Sequence, residues 1–235
     1  MVYIGRAVGI GCLKDENRPV VLYAVSGRSP ESKARIATID EEKNIIFIRP
    51  SESEAQDDPL RHYAAMIVGD NNSIFVSNGR QTPETVKRYS EVKKVDKSMS
   101  GVLDSMGAEP DSYHTPRISA GLDFVQFQRA YFGIINHGTT SDVWHTYVDS
   151  GKAILLPTYK GDPENPAEVV VNDDRTLYEL ELPGDRPETA KNVTAQQLAD
   201  RLFEWMDKDL VVATVAAVWS YRDQKWEFAK RDLYG

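Results

Sequence analysis

The feature that most constrains the fold is a series of short apolar runs, rich in β-branched residues and separated by turn-forming residues. Such runs are typical of buried β-strands. The clearest turn, Gly69-Asp70-Asn71-Asn72, lies between two of the runs and predicts a β-hairpin. The predicted strands are residues 20–25, 45–48, 62–68, 73–77, 118–122, 130–135, 143–148, 153–156, 168–171, 177–182, 211–219 and 225–229.

Helical patterns are fewer than strand patterns. Thr82 before Pro83 indicates the start of one helix, because Pro is favoured at the first helical position. A second apolar pattern ends at Gly107, a typical helix terminator. Thr194 and Gln197 form a capping box before a long apolar stripe. The three predicted helices are residues 83–89, 98–106 and 194–206.

The order of these elements favours an α+β fold. Strands and helices do not alternate regularly, which argues against a doubly wound parallel sheet. We therefore expect mainly antiparallel sheets covered by helices. The sequence shows no internal repeat and no long linker, and the stretches 160–166 and 183–187 have the composition of surface loops. We expect residues 1–235 to form a single domain.

Composition and charge exclude several classes of partner. The net charge of -8 argues against a nucleic acid partner, since phosphate neutralisation requires a basic face. No apolar run approaches the length of a membrane span, and we expect no membrane association. The first residues lack a signal-peptide pattern, and Cys12 is the only cysteine, so no internal disulfide can form. We expect a cytoplasmic protein.

Metal and nucleophile motifs are weak. The four histidines have no HExxH spacing, and the pairs Asp57-Asp58 and Asp173-Asp174 have the context of solvated turns. Cys12 lies between Gly11 and Leu13 and fits a small, half-buried residue better than a nucleophile. The sequence contains neither a GxSxG elbow nor a glycine-rich phosphate loop. We expect no metal.

Three arginine-centred polar clusters remain, each at the end of a predicted strand. They are Ser26-Gly27-Arg28-Ser29 with Lys33 and Arg35 behind it, Ser77-Asn78-Gly79-Arg80, and Tyr113-His114-Thr115-Pro116-Arg117. Arginine with Ser or Thr hydroxyls is a sound arrangement for holding phosphate. Each cluster alone also fits a solvated surface turn, but three of the same kind favour a shared pocket for a small phosphorylated ligand.

Together with Tyr3-Ile4-Gly5-Arg6 and Tyr23, these clusters resemble the archaeal-type IMP cyclohydrolase family and occur in the same order. The resemblance covers about the first 120 residues. Two positions depart from the family pattern. Gly27 stands where the family usually has Ser, and His114 stands where it usually has Asn.

The resemblance implies a four-layer αββα sandwich similar to the N-terminal nucleophile hydrolases, without autoprocessing. It implies closure of 5-formamidoimidazole-4-carboxamide ribotide, a purine ribotide, to IMP in de novo purine biosynthesis. It also implies a homo-oligomer, such as a tetramer, and no metal or organic cofactor.

Residue roles follow from matching this chain to the family pattern. The expected catalytic residues are Tyr63, which donates to the oxyanion or delivers the proton, Glu109, which accepts the amide proton or orients its acceptor, and Asn78, which holds the carboxamide. Ribotide and phosphate binding is expected from Ser26, Arg28, Ser29, Lys33, Arg35, Thr115 and Arg117.

Two alternatives stay open at this point. His114 and Gly27 allow a purine-nucleotide-binding protein that kept the pocket and lost catalysis. An amide hydrolase of the nucleophile-hydrolase type is the other, although the chain has no nucleophile placed for it.

Overall fold

The computed structural model describes residues 3–51, 60–124, 129–169, 177–184 and 193–234. The pairs Asp57-Asp58 and Asp173-Asp174, and the end of the predicted strand 168–171, lie outside these ranges, as does most of the predicted loop 183–187. The described chain is a mixed α/β structure dominated by antiparallel sheets, with few helices.

The described strands are β1 (Arg6–Cys12), β2 (Pro19–Ser26), β3 (Arg35–Asp40), β4 (Ile45–Pro50), β5 (Tyr63–Val68), β6 (Ile74–Ser77), β7 (Arg117–Leu122), β8 (Arg129–Ile135), β9 (Asp142–Tyr147), β10 (Lys152–Pro157), β11 (Tyr159–Gly161), β12 (Pro166–Glu168), β13 (Tyr178–Glu181), β14 (Val211–Ser220) and β15 (Lys225–Asp232). The helices are α1 (Pro30–Lys33), α2 (Gln81–Val92), α3 (Val95–Met106) and α4 (Ala195–Trp205).

Two large sheets contain most of the strands. The seven-stranded sheet follows chain order from β3 to β9, with α2 and α3 inserted between β6 and β7. The six-stranded sheet has the order β13-β10-β1-β2-β14-β15. Neighbouring strands in both sheets pair antiparallel, and β11 and β12 form a separate two-stranded ribbon.

Strand β2 shows why the apolar runs are continuous. All eight of its residues are buried. Val21 and Tyr23 belong to a core that also contains side chains of the seven-stranded sheet, whereas Val20 and Leu22 belong to a core shared with α4. Because successive side chains point to opposite faces, a strand buried on both faces must be apolar throughout.

Helices cover the outer faces of both sheets. Leu198 and Leu202 of α4 are buried against the six-stranded sheet. Tyr89 of α2 and Met99 of α3 pack with Phe75 in a smaller core beside the seven-stranded sheet. No helix in the described ranges is long and apolar enough to cross a membrane.

The three predicted helices and the predicted strands within the described residues are present, with shifts at their ends, except that only Glu168 of the predicted strand 168–171 is found in a strand. The predicted start of α2 was wrong. The helix begins at Gln81 with Arg80 as its N-cap, and Thr82 lies inside the first turn. Thr82 is buried, and its hydroxyl forms a hydrogen bond with Ser77, which explains why it does not cap the helix.

Several elements had no clear sequence signal. Gly9 and Gly11 interrupt the apolar pattern of β1. A side chain at Gly9 would overlap the side chain of Leu155 on β10, so close strand packing requires glycine there. The short elements β3 and α1 were also missed. The predicted loop 160–166 instead has its two ends paired in the β11–β12 ribbon.

Leu202→Ala tests the packing of α4. Leu202 is fully buried, so its truncation should lower the free energy of unfolding by about 2–5 kcal/mol. Urea unfolding followed by circular dichroism measures this change. Glu204→Ala is the control, because Glu204 is exposed on the same helix and makes only a 3.7 Å ion pair with Arg231. A loss as small as that of the control would contradict the assigned packing.

Candidate functional site

Sheet topology brings the predicted polar clusters to one end of the two sheets. Strands β3, β5 and β7 run in the same direction within the antiparallel sheet. Their first residues, Arg35, Tyr63 and Arg117, therefore lie at the same end of the sheet. In the other sheet, β1 starts at Arg6 beside the end of β2 at Ser26. The clusters therefore meet where strands of both sheets begin or end.

A cavity of about 670 Å³ opens at this end of the sheets. Its volume is within the range of small-molecule sites. Side chains with hydroxyl, guanidinium, carboxylate and aromatic groups form its wall. The lining residues are Tyr3, Gly5, Arg6, Ser26, Arg28, Ser29, Glu31, Ser32, Arg35, Leu60, Arg61, Asp111, Ser112, Tyr113, Thr115, Thr158 and Tyr159.

A tight turn after β2 forms one wall of the cavity. Ser29 caps α1, and its hydroxyl accepts the backbone N–H of Ser32 at 3.2 Å. The Ser32 hydroxyl accepts the backbone N–H of Ser29 at 2.9 Å. A side chain at Gly27 would lie 2.6 Å from the Ser32 carbonyl carbon, so the turn requires glycine at that position. Both hydroxyl groups are thus fixed beside the cavity.

Two arginines of this wall have different environments. Arg35 is buried and donates to the carbonyl oxygens of Ser32 at 2.7 Å and Ser26 at 3.0 Å. Burial lowers the pKa of Arg35, and the neighbouring Arg6 adds to this effect. Arg28 is exposed, donates to the Pro163 carbonyl oxygen at 2.9 Å, and lies 5.1 Å from the centre of the Tyr3 ring. Arg35 therefore fixes the turn, whereas Arg28 remains accessible to a ligand.

The opposite wall is aromatic and hydroxyl-rich. The Tyr3 and Tyr159 rings stack with centroids 5.9 Å apart and an interplanar angle of 23°. The Tyr159 hydroxyl is 2.9 Å from the Thr115 hydroxyl, which donates to Asp111 at 2.6 Å. Burial raises the pKa of Tyr159, and its hydrogen bond with Thr115 opposes that shift. Tyr3 is only 7% exposed and Tyr159 is half-buried, so Tyr159 supplies the accessible aromatic surface of this wall, with polar groups at its margin.

Behind the cavity lies a pair of buried tyrosines. The hydroxyl groups of Tyr23 and Tyr63 are 2.7 Å apart, in the core between the two sheets. Burial and the neighbouring Tyr63 raise the pKa of Tyr23 well above its usual value. The Arg6 guanidinium lies 5.8 Å from the centre of the Tyr63 ring and also borders the cavity. Arg6 therefore stands between the tyrosine pair and the open space.

A charged network continues from Arg6 into the protein. Arg117 donates to the Glu109 carboxylate at 2.8 Å and to the Gln81 side-chain oxygen at 3.0 Å. Arg6 lies 4.0 Å from the same carboxylate oxygen. Burial raises the pKa of Glu109, and the nearby Arg6 and Arg117 oppose this shift. Asn78, fully buried, accepts from the backbone N–H of Ile118 at 2.9 Å.

The structure divides the predicted site residues into three groups. Those that line the cavity are Ser26, Arg28, Ser29, Arg35 and Thr115. Those that lie in the buried layer behind it are Tyr63, Glu109, Asn78 and Arg117. Lys33 belongs to neither group: it follows the turn in α1 and is not part of the cavity wall.

Sequence reasoning assigned no role to several residues of the wall. Tyr3 and Arg6 belong to the motif Tyr3-Ile4-Gly5-Arg6, which is part of the family resemblance, so the sequence could have indicated them. Asp111 lies between the predicted Glu109 and Thr115. Tyr159 is distant in sequence and reaches the site as the first residue of β11, so no local pattern points to it.

The two departures from the family pattern have structural explanations. Gly27 is required by the contact with Ser32. His114 has a positive φ of 50° and stacks on His137, with ring centroids 3.9 Å apart. His114 is exposed and does not line the cavity. Neither departure alters the polar groups of the wall.

The fold gathers arginine, hydroxyl and aromatic side chains around a cavity of small-molecule size. Within the described ranges, no three His, Cys, Asp or Glu side chains are grouped to hold a metal ion. The chain belongs to the family of IMP cyclohydrolase-like proteins, because the model of that family matches residues 3–224. The resemblance inferred from the motifs is thereby confirmed.

Curated relatives support this membership. The chain is 29% identical over 219 residues to the IMP cyclohydrolase of Methanocaldococcus jannaschii, which covers 92% of this chain and 94% of that protein. It is 27% identical over 188 residues to the IMP cyclohydrolase of Thermococcus kodakarensis, covering 78% of this chain and 87% of that protein. It is 31% identical over 164 residues to the IMP cyclohydrolase of Methanococcus maripaludis strain C6, covering 68% of this chain and 75% of that protein.

Asn78→Ala tests whether the hydrogen bonds of the buried layer behind the cavity stabilise the fold. The Asn78 side chain donates to the Pro116 carbonyl oxygen at 2.8 Å and accepts from Gln81 at 2.9 Å. Its removal leaves buried polar groups unpaired, which should lower the free energy of unfolding by about 1–3 kcal/mol. Urea denaturation gives the value. Asn165→Ala, at an exposed position, is the control, and equal stability of the two variants would argue against the network.

Proposed function

We propose that this protein is an IMP cyclohydrolase, a hydrolase of the cyclic-amidine class, which closes 5-formamidoimidazole-4-carboxamide ribotide to IMP with loss of water. The observation that carries the proposal is the family match over residues 3–224, with relatives of that name covered over most of their length. The cavity supports it, because its wall combines arginines, hydroxyl groups and stacked aromatic rings.

The ribotide phosphate is assigned to the turn after β2. Arg28 is accessible there, and the hydroxyl groups of Ser29 and Ser32 are fixed beside it. Arginine with hydroxyl donors suits a phosphate dianion. Arg35, Ser26 and Thr115 complete the binding wall, and the heterocycle stacks on the aromatic side. Lys33 lies outside the cavity wall, and a contribution from it requires a longer reach from α1.

Ring closure places three demands on the site. The carboxamide nitrogen must be held against the formyl carbon, which is a task of proximity. Its attack forms the N–C bond, moves the C=O electron pair onto oxygen, and releases one amide proton. The oxyanion takes up this proton to become a hydroxyl group, which then leaves as water with the proton of the formamido nitrogen as the C=N bond forms.

Buried groups behind the cavity are assigned to the proton transfers. Tyr63 donates to the oxyanion or delivers the proton to the leaving hydroxyl. Glu109 accepts the amide proton or orients its acceptor, and burial raises the pKa of its carboxyl group. Asn78 holds the carboxamide, or supports the strand that does. Arg117 keeps Glu109 in place through their 2.8 Å contact.

The finer description of the fold is part of the same proposal. Apolar cores lie between the two sheets and under the helices on each outer face, which supports a four-layer αββα sandwich like that of the N-terminal nucleophile hydrolases, without autoprocessing. The single domain, the homo-oligomer and the cytoplasmic location stay predictions.

Turnover of the formylated ribotide tests the function. The purified protein should convert it to IMP faster than the uncatalysed reaction, as measured by the change in ultraviolet absorbance. If no turnover occurs but calorimetry shows tight binding of IMP, the nucleotide-binding alternative would replace the enzyme. If the protein neither converts the formylated ribotide nor binds IMP, the proposed function is wrong.

Tyr63→Phe and Glu109→Gln test the assigned roles. Each change keeps the shape of the side chain and removes its proton chemistry. Each should lower kcat by a factor on the order of 10²–10⁴ and change KM less, because the lost interaction acts in the transition state. Steady-state kinetics give both constants. Wild-type kcat in both variants would exclude these assignments without affecting the family membership.

A further inference from the structure

Arg6 is held rigidly at the start of β1. Its backbone N–H donates to the Thr158 hydroxyl at 3.1 Å, and its carbonyl oxygen accepts from the Thr158 backbone N–H at 2.9 Å. The preceding Gly5 has a φ of +64°, and a side chain there would lie 2.6 Å from the Tyr159 ring. The backbone at Arg6 is thus fixed by its bonds to Thr158 and by the glycine that precedes it.

The Arg6 guanidinium has few hydrogen bonds for a buried cation. Its side chain is 13% exposed, and Nη1, which lies 4.0 Å from a Glu109 carboxylate oxygen, makes no hydrogen bond among the described residues. Nη2 makes a long bond of 3.4 Å to the Leu60 carbonyl oxygen. Arg35, by contrast, donates to backbone oxygens at 2.7 and 3.0 Å. A buried donor left unpaired is costly, and such groups in a native site call for a functional explanation.

The surroundings of Arg6 identify what it would act on. It borders the cavity on one side and approaches Glu109 and Tyr63 on the other. The turn assigned to phosphate is formed by residues 27–33, whereas the groups assigned to proton transfer lie next to Arg6. Negative charge that develops during ring closure would therefore arise close to this guanidinium.

We infer that Arg6 is a further catalytic residue, which donates hydrogen bonds to the formyl oxygen as the carboxamide nitrogen attacks. This inference rests on the proposed function. The C=O electron pair becomes a lone pair on that oxygen, the amide proton passes to the acid–base groups, and Arg6 keeps its own protons throughout. Donors fixed before the reaction act without reorganisation, which makes them effective in stabilising an oxyanion.

Charge balance around Arg6 agrees with this role. Arg35 and Arg117 are buried, the Arg6 side chain is 13% exposed, and the Glu109 carboxylate is in contact with both Arg6 and Arg117. Burial works against the charge of Arg6, but Tyr63, Tyr23 and Glu109 together raise its pKa. Arg6 therefore stays positively charged at the pH values at which an enzyme works, and the site has cations in excess to receive an anion.

Kinetics of Arg6→Gln test the inference. The variant should lower kcat by about 10²–10³-fold, the effect of removing one oxyanion donor, with the IMP dissociation constant from calorimetry changed much less. Arg6→Lys keeps the charge without the forked donors and should recover part of the rate. Arg28→Ala, at the assigned phosphate anchor, should instead chiefly raise KM. Arg222→Gln, at an exposed turn, is the matched control and should behave as wild type.

Each outcome has a defined meaning. Wild-type kcat in folded Arg6→Gln, or a change in KM alone, would overturn the catalytic role while leaving the cyclohydrolase activity in place. No turnover by the wild-type protein would overturn the proposed function, and the role of Arg6 with it. Circular dichroism establishes folding. If Arg6→Gln does not fold, the kcat of Arg6→Lys is compared with that of the wild-type protein instead, and a wild-type value would overturn the catalytic role.

Discussion

Burial of both faces of the six-stranded sheet is the constraint on which the rest of the structure depends. One face packs against the seven-stranded sheet and the other against α4. Strands such as β2 and β14 must therefore be apolar on both faces, and all of their residues are buried. Neither strand contains a charged residue, and the arginines Arg6, Arg35 and Arg117 are the first residues of their strands. Because antiparallel pairing places the start of one strand beside the end of the next, polar groups from strand starts and strand ends lie together at one end of the two sheets.

Charges at this end of the sheets are removed from water to different degrees, and the hydrogen bonds that compensate the buried ones shape the site. Glu109 and Arg117 are almost fully buried and contact each other at 2.8 Å, and Gln81 joins them through Arg117. A buried ion pair contributes little net stability but is costly to break, so it fixes the surrounding side chains in one arrangement. Gly79 lies against the Glu109 carboxylate, where a larger residue would overlap it. The candidate active site is therefore rigid on its inner side and open on its outer side.

Local sequence patterns predicted most of the regular structure. The hairpin at Gly69–Asn72 and the capping box of α4 depend on interactions between neighbouring residues, so they can be read directly. Strand β1 could not, because its Gly9 is explained only by close contact with Leu155 on a distant strand. The capping role expected of Thr82 failed for a similar reason: its hydroxyl bonds to Ser77 once the sheet and α2 pack together.

By itself, the sequence determined the class of fold, the family motifs and the chemical nature of the site. Arginines and hydroxyl residues at strand ends are visible as local clusters, and they indicate an anionic ligand whatever the packing. Tertiary structure alone decided which of them face the cavity. It placed Ser26, Arg28, Ser29, Arg35 and Thr115 on the wall and Tyr63 and Glu109 behind it. It also brought Arg6 between these two layers and Tyr159 against Tyr3. Strand direction and sheet packing set those distances, and both depend on contacts between residues that are far apart in the chain.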